Sequence, residues 1–381
     1  MDGRVSVAWV AAAAALALPA AAQQPLPLTD GGWDLKGPSA KVERFDGRDV
    51  LSVENGIAYR RDVKLQDGTI DFDVQLTRRR SFVYVMFRMA DDRELEEMYL
   101  RPHKSALPDA IQYAPVHQGA SAWQLYHGPG ATAAVAFEPG AWTHVRLVLR
   151  GEQAALFVGD LVKPALVVPR LARAPAAGYL ALRGFAPPGS GAGPVARFAN
   201  VGITPGASPF DFAPPDPVVV PPGAVRAWSV SRAFAVPKDT TGPPALPADA
   251  VLGAFSRVEA EPSGLVVLHR SVKLPTPETR EVAAVARVRV RPAAAGIRRL
   301  DLGFSDVATV FLNGRPILQV DQHYSYDDPR QDGLVHYGQT SVFLPLDPGW
   351  NELSVLVSDG FGGWGLMGRF PDAAGLELDA R

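Results

Sequence analysis

Charged and aromatic side chains alternate along the segment EEMYLRPHKSALPDAIQY, residues 96–113, in a pattern suited to acid–base chemistry. Glu97 is a candidate general acid or base, His103 a proton carrier, and Arg101 a clamp for an oxyanion or a carboxylate. A strand period of two places these three residues, together with Tyr99, on one face. Glu97 and His103 are then roughly 20 Å apart by strand rise, unless the chain bends between them. The spacing favours an extended recognition surface over a single reaction centre.

The preceding segment SFVYVMFRMA, residues 81–90, is joined to this one by the turn signal DDR and predicts a β-hairpin. The apolar residues of the two strands fall on one face, which places Tyr84 and Arg88 beside the polar face of the second strand. A cross-strand pair between Arg88 and Glu97 is one reason for such a pattern.

Aromatic residues and amides extend this polar surface into residues 103–130. Sugar sites are built from such mixtures, since a sugar ring stacks on Tyr or Trp while carboxylate, amide and guanidinium groups bind its hydroxyls. The predicted ligand-binding residues are Tyr84, Arg88, Glu97, Tyr99, Arg101, His103, Gln112, Tyr113, Trp123 and Tyr126. A structural network or a domain interface would use the same residue types, and the sequence leaves this alternative open.

A second polar and aromatic group lies in the loop QHYSYDDPRQDGLVHYG, residues 322–338. Asp327, Asp328 and Asp332 are the metal-ligand candidates, because Ca²⁺ prefers carboxylate and carbonyl oxygens. Their spacing matches no EF-hand, and the alternative is a long loop that packs internally or against the first domain. No cofactor other than this calcium is expected.

A tryptophan and three histidines are further candidates for a binding site. Trp364, in a glycine-rich segment, is either a sugar platform or a plug in a core or interface. The histidines His117, His127 and His144 show no metal-ligand spacing, and we expect them on the surface or in loops.

The composition is that of an ordinary globular chain. Among 381 residues, 47% are hydrophobic and 20% charged, and the formal net charge is −2. Without a basic surplus, neither nucleic acid nor an anionic membrane surface is an expected partner. The chain has no cysteine, so its stability must come from its cores.

The N-terminus has the pattern of a secretory signal peptide. An apolar, alanine-rich run follows Arg4, and small residues precede Gln23 in an A-x-A-type cleavage site. We expect cleavage of residues 1–22 and a periplasmic or extracellular protein; the alternative is an uncleaved anchor, which Pro19 disfavours. After cleavage no membrane association is expected.

Short runs of β-branched, aromatic and aliphatic residues follow, separated by Gly, Pro, Asn and Asp. Their spacing predicts an all-β fold of antiparallel β-sandwiches. A proline-rich segment, residues 204–225, predicts a semi-rigid linker or strap. The expected domains are therefore residues 29–203 and 226–381.

The rhythm of the first half carries a resemblance, most specific in WTHVRLVLRGEQAALFVGD, residues 142–160. A Trp precedes a long strand, a Gly turn follows, and the next strand ends at an Asp. This resembles the concanavalin A-like lectin/glucanase jelly roll, including laminin-G-like modules and the 3-keto-disaccharide hydrolase domain, DUF1080. The resemblance implies two stacked antiparallel sheets, one of them curved, with the ligand on the concave face.

Glucanases of this superfamily carry an E-x-D-x-x-E strand motif, to which DFDVQL, residues 71–76, is the nearest match. Asp71 and Asp73 share a strand face roughly 6.5–7 Å apart and are the candidate acid and base. Leu76 stands where the motif has its acid/base Glu. The alternative is an ordinary half-buried strand with both aspartates in water.

The second half resembles the galactose-binding-like β-sandwich found as an accessory domain of large glycosidases. The segments FLNGRPI and PLDPGWNELSVLV carry this resemblance through an Asn-Gly hairpin turn and a Gly-x-Asn-x-Leu pattern before a strand. Such a domain often supports a neighbouring site.

These patterns predict a secreted carbohydrate-recognition protein with its site on the polar and aromatic face of the first domain. One alternative is a glycoside-cleaving enzyme similar to the 3-keto-disaccharide hydrolases, with Glu97 or the pair Asp71 and Asp73 as acid and base. The other is a structural or interaction protein whose polar face forms a domain interface and binds no small molecule.

Overall fold

The computed structural model describes residues 22–29, 31–206, 210–217, 219–236, 244–277, 279 and 281–381. The predicted all-β fold of two antiparallel β-sandwiches is confirmed, because every strand pairing in the described part of the chain is antiparallel. The predicted signal peptide lies outside the described residues except for Ala22. In the same described part, neither helix has the length or the apolar character needed to cross a membrane.

The first sandwich contains sixteen strands and one 3₁₀ turn, Pro102–Lys104. The strands are β1 (Gln24–Pro25), β2 (Asp34–Lys36), β3 (Ala40–Phe45), β4 (Arg48–Val53), β5 (Gly56–Leu65), β6 (Gly68–Leu76), β7 (Phe82–Met89), β8 (Leu95–Leu100), β9 (Ile111–His117), β10 (Ala120–Ser121), β11 (Thr132–Ala133), β12 (Trp142–Arg150), β13 (Gln153–Val158), β14 (Leu166–Val168), β15 (Gly178–Phe185) and β16 (Ala196–Pro205).

The second sandwich contains twelve strands and two one-turn helices, α1 (Asp249–Leu252) and α2 (Leu268–Ser271). The strands are β17 (Ala227–Val230), β18 (Phe234–Ala235), β19 (Ser256–Glu259), β20 (Leu265–Val267), β21 (Val282–Pro292), β22 (Gly296–Ser305), β23 (Val307–Leu312), β24 (Arg315–Asp321), β25 (Thr340–Leu346), β26 (Asn351–Asp359), β27 (Gly365–Arg369) and β28 (Leu376–Asp379).

Two eight-stranded sheets form the first sandwich. The β6 sheet runs β14-β13-β12-β6-β16-β4-β3, with β1 beside β16, and the β8 sheet runs β10-β9-β8-β7-β15-β5-β2, with β11 beside β9. Alternate apolar residues of both sheets, such as Phe72, Val85 and Met98, are buried between them. The two-layered architecture implied by the resemblance to the concanavalin A-like jelly roll is confirmed.

The second sandwich also has two layers, in the orders β19-β17-β21-β26-β23-β24 and β20-β27-β22-β25, and β18 and β28 pair with β21. Its core includes Trp228, Phe304, Trp364 and Phe370. Trp364 is fully buried, and its indole Nε1 donates to the carbonyl of Val357 at 3.2 Å. Of the two roles considered for Trp364, the structure therefore supports the core plug.

The proline-rich segment lies against the first sandwich where it is described. Phe210 and Phe212 contact each other edge to face, with ring centroids 4.7 Å apart, and Phe210 packs on Phe157 of the β6 sheet. Further on, Val225 belongs to the second core. The described part of this segment thus contacts both sandwiches.

Two glutamines of the first sandwich fix it to the second. Gln124 is fully buried; its Nε2 donates to Asp306 Oδ1 at 3.2 Å, and its Oε1 accepts from the backbone N–H of Gly363 at 2.6 Å. A Cβ at Gly362 would lie 1.9 Å from that Oε1, so only glycine admits this close approach. Gln118 Nε2 donates to two carbonyl oxygens at the C-terminal end of α2, at 2.6 and 2.7 Å.

Candidate functional site

The side of the β8 sheet that faces away from the core is called the outer face below. Strand pairing places Tyr84 opposite both Arg183 and Tyr99, and Tyr99 opposite Gln112. One row further along, Met86 and Glu97 are opposite each other. The predicted hairpin and the shared face of Tyr84, Glu97 and Tyr99 therefore match the observed register.

A closed hydrogen-bond network occupies part of the outer face. Tyr99 Oη donates to Gln112 Oε1 at 2.8 Å, and Arg101 Nη2 donates to Tyr99 Oη at 2.8 Å. Arg101 Nη1 donates to Asp109 Oδ2 at 2.8 Å, and Gln112 Nε2 donates to the carbonyls of Trp123 and Tyr126.

All three central residues of this network are at least 95% buried, with Tyr99 at 3%, Arg101 at 5% and Gln112 at 1% exposure. Their polar atoms are already bonded to the protein, so a ligand gains little from them. Sequence reasoning assigned these residues to a ligand, whereas the structure uses them as a structural network.

Glu97 lies beside this network under a layer of neighbouring side chains, with 2% of its surface exposed. Its Oε1 accepts from Ser121 Oγ at 2.6 Å. Burial raises the pKa of Glu97 to about 7, while the Ser121 hydrogen bond and the positive charge of Arg183 act in the opposite direction. A carboxyl with this pKa exchanges its proton near neutral pH.

The accessible part of the outer face is aromatic and carries one guanidinium. Phe82, Tyr84, Arg183 and Phe185 are each half-buried. The guanidinium of Arg183 lies 5.2 Å from the Tyr84 ring centroid, and the rings of Phe82 and Phe185 are 6.1 Å apart. A sugar site needs aromatic ring faces for stacking and, next to them, a group such as a guanidinium that donates hydrogen bonds to the hydroxyls.

A cleft of about 340 Å³ adjoins this aromatic surface. Its walls contain ring faces, aliphatic groups and charges from several strands of the β8 sheet. The lining residues are Lys36, Gly37, Asn55, Gly56, Ile57, Tyr59, Met86, Met89, Asp92, Arg183, Gly184 and Phe185. This volume is at the lower end of the range for small-molecule sites, so the cleft has room for one sugar ring.

Loops of the second sandwich form the rim of the outer face. The guanidinium of Arg80, just before β7, lies 3.4 Å from the ring centroid of Tyr326. Two residues earlier in the same loop, the ring of Tyr324 meets Trp123 edge to face at 5.3 Å, and the ring of Phe361 lies 6.3 Å from that of Trp123. Trp123 is thus placed at an interface between the sandwiches, although Tyr326 and Phe361 remain exposed.

Arg88 is turned away from the outer face, contrary to strict alternation. Its backbone has φ 48°, and the pairing of β15 with β7 shifts register at this point. Gly178 permits this bulge, because a Cβ there would lie 2.4 Å from the Arg88 carbonyl carbon. Arg88 therefore donates to Asp67 at 3.0 Å and to the carbonyls of Gln66 and Gly151, and the expected pair with Glu97 does not form.

Two other predicted ligand residues also lie elsewhere, whereas His103 lies beside the outer face, its ring centroid 5.3 Å from that of Phe82. Tyr113 is in the core and donates to Glu96 Oε1 at 2.8 Å. Tyr126 donates to Glu261 of the second sandwich at 2.6 Å. His103 is half-buried, its Nδ1 accepts from the Ser81 N–H at 3.3 Å, and burial lowers its pKa to about 4. At neutral pH this histidine is uncharged.

Asp71 and Asp73 lie on the other layer of the sandwich, on the solvent side of the β6 sheet. The ring of His144 bridges them, with Nδ1 2.7 Å from Asp73 and Nε2 3.1 Å from Asp71, and Arg146 Nε donates to Asp71 at 2.6 Å. Asp71 is buried, so the expectation that both aspartates point into water is wrong for Asp71. Since the core separates this cluster from Glu97, the two cannot act on one substrate atom.

The histidines were expected on the surface or in loops. The structure corrects His117, whereas His144 lies on the solvent side of the β6 sheet with its side chain 33% exposed. His144 lies in β12 between two carboxylates, and His117 is a buried residue of β9. His127, in contrast, follows the prediction of a loop residue, and its Nε2 lies 3.0 Å from the Val335 carbonyl oxygen.

The three aspartates considered for calcium do not form a cluster of ligands. Asp328 binds the guanidinium of Arg330 at 3.0 Å, and Asp332 accepts from the backbone N–H of Leu334 at 2.9 Å. Across the part of the chain that the structure describes, no three acidic or histidine side chains converge in a geometry that could hold a metal ion.

Arg183 and Phe185 are site residues that sequence reasoning missed. They alternate with inward-facing positions in the segment GYLALRGF, residues 178–185, where Leu182 lies in the core just before Arg183 and Gly184 stands between the two. The same period-two argument that selected Tyr84 selects these two residues once β15 is paired with β7.

No family model matches the chain, and no curated protein matches it. Among solved structures it is similar to a carbohydrate-binding module from Bacillus subtilis, with 13% identity over 44% of this chain and 92% of that one, and a TM-score of 0.34. It is also similar to a β-glucanase from Bacillus licheniformis, with 10% identity over 49% of this chain and 98% of that one, and a TM-score of 0.37. A third similar structure is a galectin, LEC-6 from Caenorhabditis elegans, with 10% identity over 44% of this chain and 96% of that one, and a TM-score of 0.28. Values this low assign neither a site nor an activity.

Proposed function

We propose that this is an exported carbohydrate-recognition protein that binds a glycan at the accessible part of the outer face. The observation that carries the proposal is the aromatic surface of Phe82, Tyr84 and Phe185 with the Arg183 guanidinium above it. One ring of the glycan occupies the adjoining cleft, and the next ring stacks on the aromatic surface.

The chemistry of this surface supports a sugar over an apolar ligand. Lys36, Asp92 and Arg183 line the cleft together with the rings of Tyr59 and Phe185. A sugar offers apolar C–H faces and a rim of hydroxyls, which matches a wall of rings interrupted by charged donors and acceptors. The buried network of Tyr99, Arg101 and Gln112 supports the surface from below, since it fixes the strands that carry it.

A glycan array probed with the exported form of the protein tests this proposal. Arg183→Met removes the guanidinium but keeps an apolar stem, and Phe185→Leu removes a ring face. Each is expected to weaken the strongest array signal about tenfold or more, which corresponds to about 1.4 kcal/mol. Phe343→Leu changes an exposed ring on the second sandwich and serves as the matched control. Unchanged signals in both site variants would exclude this surface.

Glycoside cleavage is a second candidate that one observation favours, the pKa of Glu97 near 7. A general acid of this kind needs a second carboxylate or a water-activating base beside the same bond. The charges that act on Glu97 come from Arg183, and Asp71 and Asp73 are in the other layer. Product release from 3-keto-glycosides that Glu97→Gln abolishes would support the enzyme, and release that survives this change would exclude Glu97 as its acid.

A further inference from the structure

A second and larger cavity lies between the two sandwiches, with a volume of about 700 Å³. The first sandwich supplies one wall from β7, β8, β9 and the segment 172–177, and the second supplies the other from α2 and the two residues after it. The lining residues are Arg88, Ala90, Glu94, Glu96, His117, Gln118, Ala172, Arg173, Ala174, Ala176, Ala177, His269, Arg270, Ser271, Val272 and Lys273. We call this space the interdomain cavity.

Positive charges outnumber negative charges in its wall. The cations are Arg88, Arg173, Arg270 and Lys273, and the carboxylates are Glu94 and Glu96. Arg173 is paired with Glu94, Arg270 with Glu261, and Arg88 with Asp67 and Glu96; neither Glu261 nor Asp67 lines the cavity. Lys273 is exposed and forms no ion pair with any described residue. The electrostatic contribution to binding in this cavity therefore favours an anion over a neutral or cationic ligand.

Three buried polar atoms of the wall residues are left without a hydrogen-bond partner among the described residues. They are Arg88 Nη1, Glu96 Oε2 and His117 Nε2. The first two face each other as an ion pair at 3.7 Å, a distance too long for a hydrogen bond, and all three residues are at least 95% buried. A buried polar group without a hydrogen bond is unfavourable, so three of them beside one cavity indicate room for hydrogen-bond partners that the described residues do not supply.

The two histidines of the wall are uncharged donors at neutral pH. His117 Nδ1 accepts from Arg173 Nη1 at 3.0 Å, and His269 Nδ1 accepts from the Trp364 N–H at 3.3 Å. Each neutral ring therefore carries its proton on Nε2. Burial lowers the pKa of both to about 4, which keeps them in this form under ordinary conditions.

The remaining wall is made of small residues. Five alanines and Val272 contribute apolar surface, and among the described residues no aromatic ring other than the two imidazoles lines the space. The wall thus lacks a stacking platform for a glycan chain. It offers donors and cations for a negative group, together with the carboxylates of Glu94 and Glu96 as acceptors for hydroxyls.

We propose that the interdomain cavity binds a small hydroxylated carboxylate of the size of a sugar acid, with its carboxylate toward the cations of α2 and β7. The ligand contacts both sandwiches, so its binding stabilises their association. This site is separate from the outer face and does not depend on the glycan-binding proposal.

Isothermal titration calorimetry on the exported protein tests the proposal with galacturonate, glucuronate and gluconate as probes. Galactose and glucose, which lack the carboxylate, and inorganic phosphate, which lacks the hydroxylated carbon skeleton, are the comparison ligands. At least one sugar acid is expected to bind ten times more tightly than its neutral sugar and than phosphate. Equal binding of acid and neutral sugar, tighter binding of phosphate, or no binding of any acid would overturn the proposal.

Two variants locate the site. Lys273→Gln changes an exposed side chain and should fold normally, and Arg270→Gln removes a second cation of the same wall. Each is expected to weaken sugar-acid binding about fivefold to tenfold, whereas Lys163→Gln, an exposed lysine outside the cavity, should leave it unchanged. If both cavity variants bind like the unaltered protein, the acid binds elsewhere. Arg183→Met should not affect this binding, which separates a failure here from a failure of the glycan site.

Discussion

Glu96 and Glu97 are neighbours in β8, but they face opposite sides of the sheet and differ in how their carboxyl groups are satisfied. Glu97 lies on the outer face and accepts from Ser121, and neither of its oxygens is a buried atom without a partner. Glu96 faces the interdomain cavity, where one oxygen accepts from Tyr113 and the other, 3.7 Å from Arg88 Nη1, has no hydrogen-bond partner among the described residues. Burial raises the pKa of both residues. Burial alone therefore does not mark a ligand site, whereas an unpaired group beside a cavity does.

The same contrast holds for the arginines of the two regions. Arg101 is enclosed by Tyr99, Gln112 and Asp109, and it belongs to a finished structural network. Arg88 is equally buried, yet its Nη1 forms no hydrogen bond with the described residues and lies 3.7 Å from Glu96 Oε2. We therefore expect changes in the network to reduce stability and changes at the cavity to affect binding.

Arg101→Met gives the largest expected effect. The variant leaves the hydroxyl of Tyr99 and the side-chain oxygen of Gln112 without a charged donor in a buried setting, while the half-exposed Asp109 keeps its pair with Lys104. Loss of one partner of a buried charged network costs about 3–5 kcal/mol in the free energy of unfolding. Urea denaturation followed by tryptophan fluorescence measures it, and a loss below about 1 kcal/mol would contradict the structural role of the network.

Glu97 gives a pH-dependent effect of intermediate size. Its folded pKa is about 7 and the ordinary value is 4.5, so the folded state binds the proton more tightly than the unfolded state. Its contribution is fully present below about pH 4.5 and is lost as pH rises through 7, by about 3 kcal/mol. Relative to Glu97→Gln, which does not titrate, the unaltered protein should lose stability across this interval and show no further change above it. A flat difference between pH 4.5 and 7 would mean that Glu97 is charged in the folded protein.

Glu96→Gln is expected to give the smallest effect on stability. Glutamine keeps an acceptor for the Tyr113 hydroxyl and removes a carboxyl whose charged form burial disfavours. The free energy of unfolding at pH 7 should change by about 1 kcal/mol or less, or rise. Sugar-acid binding should weaken in the same variant, because an acceptor beside the cavity is altered. A large loss of stability with unchanged sugar-acid binding would contradict the assignment of Glu96 to the binding site and would give it a structural role.

Period-two alternation was sufficient for part of this molecule. It predicted the β7–β8 hairpin, the shared face of Tyr84, Glu97 and Tyr99, and the Asn313-Gly314 turn, where both residues adopt positive φ. Alternation depends only on local backbone geometry, which the sequence determines within a few residues.

The failures have a common cause in contacts distant along the chain. Arg88 changes face because a bulge in β7 is matched by Gly178 of β15. Tyr126 donates a hydrogen bond to Glu261, and the ring of Trp123 contacts that of Tyr324. Both partners are more than 130 residues away along the chain. The interdomain cavity likewise exists only after both sandwiches have docked, and no local pattern in β8 distinguishes Glu96 from Glu97 in this respect.

The most direct test measures glycan and sugar-acid binding side by side in Arg183→Met and Lys273→Gln, by calorimetric titration with the strongest array glycan and with the best-bound sugar acid. The account predicts that Arg183→Met weakens only the glycan, about tenfold, and that Lys273→Gln weakens only the acid, about fivefold to tenfold. If either variant weakens both ligands equally, or neither variant weakens its own ligand, the division of this protein into two binding regions is wrong.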